Sequence, residues 1–257
     1  ENETDVYNVI YHDNIKENDA KDDSQEVHYL ASFKLTAISR LFTHTGYTFT
    51  GWALEADGEV EYADMADISA YTWTEDLDLY AVWEANAYTI KFSSQYSTEK
   101  MDPISTKYDD LIPLTENKFT REGYYFVGWA LAEGGENVVQ TVATKEDIDL
   151  TTASGVFYVE DEQIHYAYNL TSDVDGEETL YPVWKTVYYN IVLHANAEDT
   201  ITPVRLENIS YEELYEIPAF TDTRFAKFEN KGLVFAVWYR EIESVESKPT
   251  RQDYPSN

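Results

Sequence analysis

The side chains best able to do chemistry here are five histidines, forty-nine carboxylates and twenty-two tyrosines, and there is no cysteine. His12, His28, His44, His165 and His194 are the available neutral bases and nitrogen ligands. His12 and His194 end equivalent apolar segments, but the matching place in the middle of the chain holds Ser93 and Ser94. A proton-transfer or metal role common to the whole chain is therefore unsupported, and a structural or solvent-facing role is expected of all five. Carboxylate neighbours such as Asp109 with Asp110, or Glu177 with Glu178, arise from composition alone. A glycosidase needs two carboxylates held across a cleft, which sequence neighbours in loops do not supply. The run Asp173, Val174, Asp175, Gly176, Glu177 begins like a calcium loop but lacks the rest of that pattern, so a turn before a strand is expected.

Other chemistries are excluded more directly. Without cysteine there are no disulfides, thiolate metal sites or thiol nucleophiles. The sequence contains no HExxH, no GxSxG, no phosphate-cradling glycine loop and no dinucleotide fingerprint. The expectation is a non-enzymatic protein with no cofactor, no metal and no catalytic residues. Tyrosines are the one functional hint. Tyr158, Tyr166 and Tyr168 lie in GVFYVEDEQIHYAYNL, two strand-like runs around Glu160, Asp161 and Glu162 that read as a β-hairpin. Exposed there, they could stack on a glycan or meet a protein partner. The competing expectation is that they pack against their cross-strand neighbours.

These tyrosines belong to a repeating chain. FTHTGYTFTGWAL, Phe42 to Leu54, returns as FTREGYYFVGWAL, Phe119 to Leu131. Each copy is followed by a second signature, LYAVW at Leu79 to Trp83 and LYPVW at Leu180 to Trp184, and VFAVW ending at Trp238 is a third. Apolar, β-branched and aromatic openings at Val6–Tyr11, Ala87–Phe92 and Tyr188–Leu193 read as strands and mark three module starts. This gives modules over 1–86, 87–186 and 187–243, with a polar, proline-containing tail over 244–257. The second module carries the inserted hairpin. The third is shortened: Arg224 stands where Gly46 and Gly123 stood, and no GW follows.

Residue-level expectations follow from periodicity. In GYTFTGW, Tyr47, Phe49 and Gly51 share one face and Thr48, Thr50 and Trp52 the other. A bulge at Gly51 would turn Trp52 toward Phe49, so Trp52 and Trp129 are assigned to the core. Gly46 and Gly123 precede the strand where a turn with positive φ is expected. The closing signature is apolar on both faces, Tyr80 and Val82 against Leu79, Ala81 and Trp83, and so should be covered on both sides. Pro182 cannot donate to a ladder, which implies an unpaired edge beside it. The polar run Asp13 to Glu26 reads as a solvated hairpin loop and Val27 to Leu35 as a second strand. Linkers of two or three residues make successive modules a semi-rigid, elongated array.

The aromatic GYxFxGW strand closed by LYAxW resembles the Listeria-Bacteroides repeat, or internalin B-type B-repeat, of secreted and surface-anchored bacterial proteins. The resemblance implies a mainly β, β-grasp-like α+β module with little helix. It also implies a stalk or adhesive segment at the bacterial cell surface or wall, and structural rather than catalytic roles for Gly46, Tyr47, Phe49, Gly51, Trp52, Tyr80 and Trp83.

Eighteen Lys and Arg against forty-nine Asp and Glu give a net charge of −31. Such a surface repels phosphate backbones and anionic lipid, so nucleic acid is not an expected partner. No run of about 18 apolar residues is present, so no membrane insertion is expected. The chain starts at Glu1 without an apolar leader, which reads as a processed or excised piece of a longer protein. The function expected is an extracellular, monomeric spacer with an adhesive role, its partner a host or neighbouring-cell protein or glycan. The alternative is a carbohydrate-binding accessory segment of a secreted glycan-degrading protein.

Overall fold

The computed structural model describes residues 5–15, 21–195, 201–228 and 238, and the chain divides into two compact units, Glu1–Val187 and Tyr188–Asn257. The first unit contains two tandem repeats built on one topology.

Repeat one opens with β1 (Val6–His12), whose alternation buries Val9 and Tyr11 and leaves Asn8, Ile10 and His12 on the other face. It pairs antiparallel with β2 (Asp22–His28), from Val6 opposite His28 to His12 opposite Asp22. The acidic segment Asp22–Glu26, expected in the loop, is therefore strand. It lies at the sheet edge with only Val27 buried, so its polar pattern carries no strand periodicity, and its charges discourage edge-to-edge pairing. The middle of that loop lies outside the described residues. Nor is Val27–Leu35 one strand, because Leu30 adopts φ +61° and turns the chain after His28. The two-residue β3 (Phe33–Lys34) follows, then a single helical turn, α1 (Ile38–Leu41), whose first amide is capped by Asp64 Oδ1 at 2.9 Å.

Next come β4 (Tyr47–Ala53), β5 (Asp67–Ile68), which pairs with β3, and β6 (Leu77–Ala85). The main sheet has the order β2-β1-β6-β4, with β1 and β6 parallel and β4 antiparallel to β6. The β4–β6 register slips between Phe49 and Gly51, as a bulge at the glycine demands. That slip turns the Trp52 indole inward, 5.0 Å from the Phe49 ring and 4.9 Å from Tyr11, with no solvent exposure. Leu79, Ala81, Leu35, Phe42 and Tyr71 complete the core. On the outer face Tyr80 is covered within its own repeat by the His12 ring, stacked at 4.4 Å.

Repeat two repeats this plan with β7 (Ala87–Phe92), β8 (Ile104–Lys107), β9 (Ile112–Pro113) and β10 (Tyr124–Ala130). Then come β11 (Val139–Val142), β12 (Gly155–Val159), β13 (Ile164–Tyr168) and β14 (Gly176–Thr186). Its main sheet, β8-β7-β14-β10, matches that of repeat one strand for strand, with the same bulge before Gly128 and Trp129 equally buried. Strand β14 is interior, yet its pairing with β7 ends at Leu180 opposite Phe92, so Pro182 sits where the β7 side of the ladder is no longer used. Residues 173–175 form the turn before β14, with Asp175 at φ +52°.

The expected hairpin is present, and it enlarges the small sheet. Strand β13 takes the place of β5 by pairing with β9, while β12 and β11 extend the sheet to four strands. Val156 and Ala167 on one face join the main core of repeat two. Phe157, Val159, Tyr166 and Tyr168 on the other form a second core with Ile148.

Among its described residues the second unit has an antiparallel pair, β15 (Tyr188–Leu193) with β16 (Val204–Ser210), over Leu193, Leu206, Ile209, Phe225 and Phe228. Where the earlier repeats have glycine and the aromatic strand, it has a 3-10 turn at Thr223–Phe225, its first residues held by Asp222. The closing VFAVW, except Trp238 packed 5.1 Å from Phe225, and the tail from Ser244 lie outside the described residues.

Candidate functional site

Among the described residues His12, His44 and His165 are each engaged locally rather than gathered around one cleft. His12 is pinned between Asp22 Oδ1 and Asp78 Oδ1, each at 2.7 Å, and so bridges β2, β1 and β6. Burial works to lower its pKa, but the hydrogen bonds to Asp78 and Asp22 outweigh it and the pKa is raised. His44 stacks on Tyr47 at 3.9 Å, and His165 lies 4.8 Å from its cross-strand partner Tyr158. Among the described residues no group of three or more His, Asp or Glu is arranged to hold a metal ion.

The three candidate tyrosines do not form one surface. Tyr158 is half-buried on the face of the hairpin that carries Val156 and Ala167. Tyr166 and Tyr168 are on the opposite face, 5% and 3% exposed, inside the second core. The cause is the four-stranded sheet: with β9 and β11 on its flanks and Ile148 beneath, the hairpin has a covered face rather than a solvated one. Tyr166 is tied by its phenol to Glu162, with the Lys145 ammonium 4.8 Å from its ring. The Tyr168 phenol lies 3.0 Å from Asp109 Oδ1 and 3.1 Å from the Leu150 carbonyl, and burial together with Asp109 pushes its pKa up to about 12.

That bond leads to a polar constellation at the joint between the two repeats. Strand β6 ends at Ala85 and β7 begins at Ala87, so one residue, Asn86, connects them. It is 8% exposed and every polar group it has is used. Its N–H donates to the Gly46 carbonyl at 2.8 Å, and its carbonyl accepts from the Tyr108 N–H at 2.9 Å. Its Oδ1 accepts from the Thr48 hydroxyl at 2.6 Å, and its Nδ2 donates to the Ser172 carbonyl at 2.8 Å. A buried amide satisfied from both repeats fixes their relative orientation.

Asp109 is the second anchor. Its Oδ2 accepts from the Tyr47 phenol at 2.6 Å, while Oδ1 accepts from Asn169 Nδ2 at 2.8 Å, and its N–H donates back to Asn169 Oδ1 at 2.6 Å. Burial alone would raise its pKa, but the bonds from Tyr47, Asn169 and Tyr168 hold it below the ordinary value. Between the anchors the Tyr108 ring lies so close over Gly46 that a Cβ there would come within 2.3 Å of it. At the rim Lys107 Nζ meets Glu84 Oε1 at 3.1 Å. Asn169 and Ser172 sit just beyond the inserted hairpin, and Tyr168 is its last residue, so the insertion buttresses the joint.

The sequence pattern places Gly46 and Tyr47 in the repeat but not in a joint, and Asp109 stands there only as one acid of a neighbouring pair. The available signal was Tyr29-Leu30 against Tyr108-Asp109, the same turn with φ +61° at Leu30 and +64° at Asp109. Aspartate tolerates that conformation better than leucine does.

Comparison with known proteins agrees with the repeated topology. The Listeria-Bacteroides repeat domain matches residues 7–82 and 88–152. The chain belongs to the Listeria-Bacteroides repeat family. The second match ends at residue 152, before both the hairpin and the closing strand β14. A Gly-rich membrane protein of Evansella cellulosilytica is 28% identical over 235 residues, 76% of this chain and 26% of that protein. Internalin H of Listeria monocytogenes is 33% identical over 95 residues, 36% of this chain and 16% of that protein. The chain thus spans about a quarter or less of the length of these relatives. No helix among the described residues is long and apolar enough to cross a membrane.

Proposed function

We propose that this segment is a non-enzymatic spacer of a bacterial surface protein, displayed outside the cell, which fixes the orientation of its repeats and offers their faces to a protein partner. The observation that carries this reading is Asn86: a one-residue connection with all its hydrogen-bonding groups engaged by both repeats transmits orientation, whereas a flexible tether would not. Two further observations support it. Relatives that share the repeat include membrane proteins and Internalin H, and the net charge of −31 keeps such surfaces apart from one another while favouring a basic partner. The burial of Tyr166 and Tyr168 favours this reading over a glycan platform.

The test is display. Antibodies raised against the purified chain should label intact cells of the organism that makes it. Labelling that appears only after permeabilisation would overturn the proposal.

A further inference from the structure

We infer that each repeat of the first unit is a shear clamp, which resists being stretched through its own chain. The inference deepens the spacer reading and rests on it for its biological use; its mechanics stand on strand geometry.

The chain enters repeat one through β1 and leaves through β6, and these strands are parallel neighbours, paired from Val9 with Leu77 to His12 with Tyr80. Val6 begins at one end of the pair and Ala85 lies beyond the other. Tension along the chain therefore drives the two strands past each other lengthwise. The evenly spaced hydrogen bonds of a parallel pair are then loaded together and must yield together. Were the two strands antiparallel, their free ends would share one edge and the bonds would open one at a time.

Repeat two has the same arrangement. Its entry strand β7 and exit strand β14 are parallel, paired from Tyr88 with Gly176 to Phe92 with Leu180. In both repeats the sliding strands are also held from outside, β1 by β2 and β6 by β4, then β7 by β8 and β14 by β10.

A polar cross-link spans each clamp. His12 Nε2 meets Asp78 Oδ1 at 2.7 Å across β1 and β6, and Lys91 Nζ meets Glu177 Oε2 at 2.6 Å across β7 and β14. In each, the basic side chain reaches the acid two residues before its own cross-strand partner, Tyr80 for His12 and Thr179 for Lys91. Different residues thus supply the same diagonal brace. Between the clamps the chain passes from β6 to β7 through Asn86 alone, so tension leaving one enters the next without a slack loop.

Forced unfolding reports the barrier along the pulling direction, not overall stability. Because the chain has no cysteine, attachment points can be chosen freely along it. Handles at Val6→Cys and Glu84→Cys load β1 against β6 in shear, whereas Val6→Cys with Glu75→Cys pulls the same two strands apart from one end. In repeat two the corresponding pairs are Ala87→Cys with Lys185→Cys, and Ala87→Cys with Val174→Cys. All these variants should melt close to the parent, the exposed Glu84–Lys107 pair that one of them loses contributing little, so that force differences report geometry. Rupture forces several-fold higher for the shear pair in each repeat are expected. Equal forces for the two geometries overturn the clamp even where the chain is displayed on cells. High shear forces in a chain found only inside cells leave the clamp standing and remove the spacer reading.

Discussion

The Tyr47 phenol of repeat one donates to Asp109 Oδ2 of repeat two at 2.6 Å, and the same carboxylate is held from behind by Asn169 at 2.8 Å. The bond is therefore made by an acceptor that is already oriented. Tyr47→Phe and Asp109→Asn should each destabilise the first unit. Combined in a double-mutant cycle followed by urea unfolding, they should couple by about 1 kcal/mol, because a hydrogen bond to a partly solvated charge is worth about that much. Additive effects would mean that the bond does not form in solution. Asp109 has a lowered pKa in the folded state, so its contribution is present above the unfolded value and is lost as pH falls through the folded one. Acid should loosen the joint only below the ordinary carboxylate range.

Gly46 and Gly134 have nearly the same backbone, φ +78° and +71°, but different surroundings. Nothing lies within 4 Å of a Cβ added at Gly134, whereas one at Gly46 would come within 2.3 Å of the Tyr108 ring. Gly134→Ala should therefore cost only the backbone term, about 1 kcal/mol. Gly46→Ala should cost more, since it adds displacement of Tyr108, and it should broaden the distance between spin labels placed on the two repeats. Equal costs in thermal melts would show that Tyr108 gives way freely.

The inserted hairpin separates structural from surface tyrosines. Tyr166→Ala or Tyr168→Ala empties a core site and should destabilise repeat two by about 3 kcal/mol. Tyr158→Ala, at a half-buried position, should cost about 1 kcal/mol or less. If the buried pair were replaced without loss of stability, the second core around Ile148 would not exist in solution.

Some of these relationships were legible in the sequence. Glycine inside an aromatic strand has few explanations, so Gly51 announced the bulge that buries Trp52, and the recurrence of the pattern carried it to Trp129. The hairpin at Gly155–Tyr168 was equally plain. Which face of it meets solvent was not, because β9 and β11 cover it from distant parts of the chain and local alternation cannot register them. Strand β2 was hidden for another reason: an edge strand buries so little that Asp22–Glu26 looks like loop. Asp109 was lost among forty-nine acids, since its role depends on Tyr47 sixty-two residues earlier.

His12 makes repeat one sensitive to pH near neutrality. It faces Asp22 on β2 and Asp78 on β6, with the Tyr80 ring against its plane, and those bonds raise its pKa on folding. The sign follows from linkage. A raised folded pKa means that the stabilisation is fully present below the unfolded value, about 6.5, and is lost as pH rises through the folded one. Repeat two has Lys91 rather than a histidine in the bracing role. His12→Gln should thus destabilise repeat one more at about pH 5.5 than at about pH 8.5. Both carboxylates are about half exposed to solvent, which limits the difference to about 1 kcal/mol or less. Thermal melts of parent and variant across that interval measure it. A gap that widened with rising pH instead would mean that neutral His12, not its cation, is the form the fold holds.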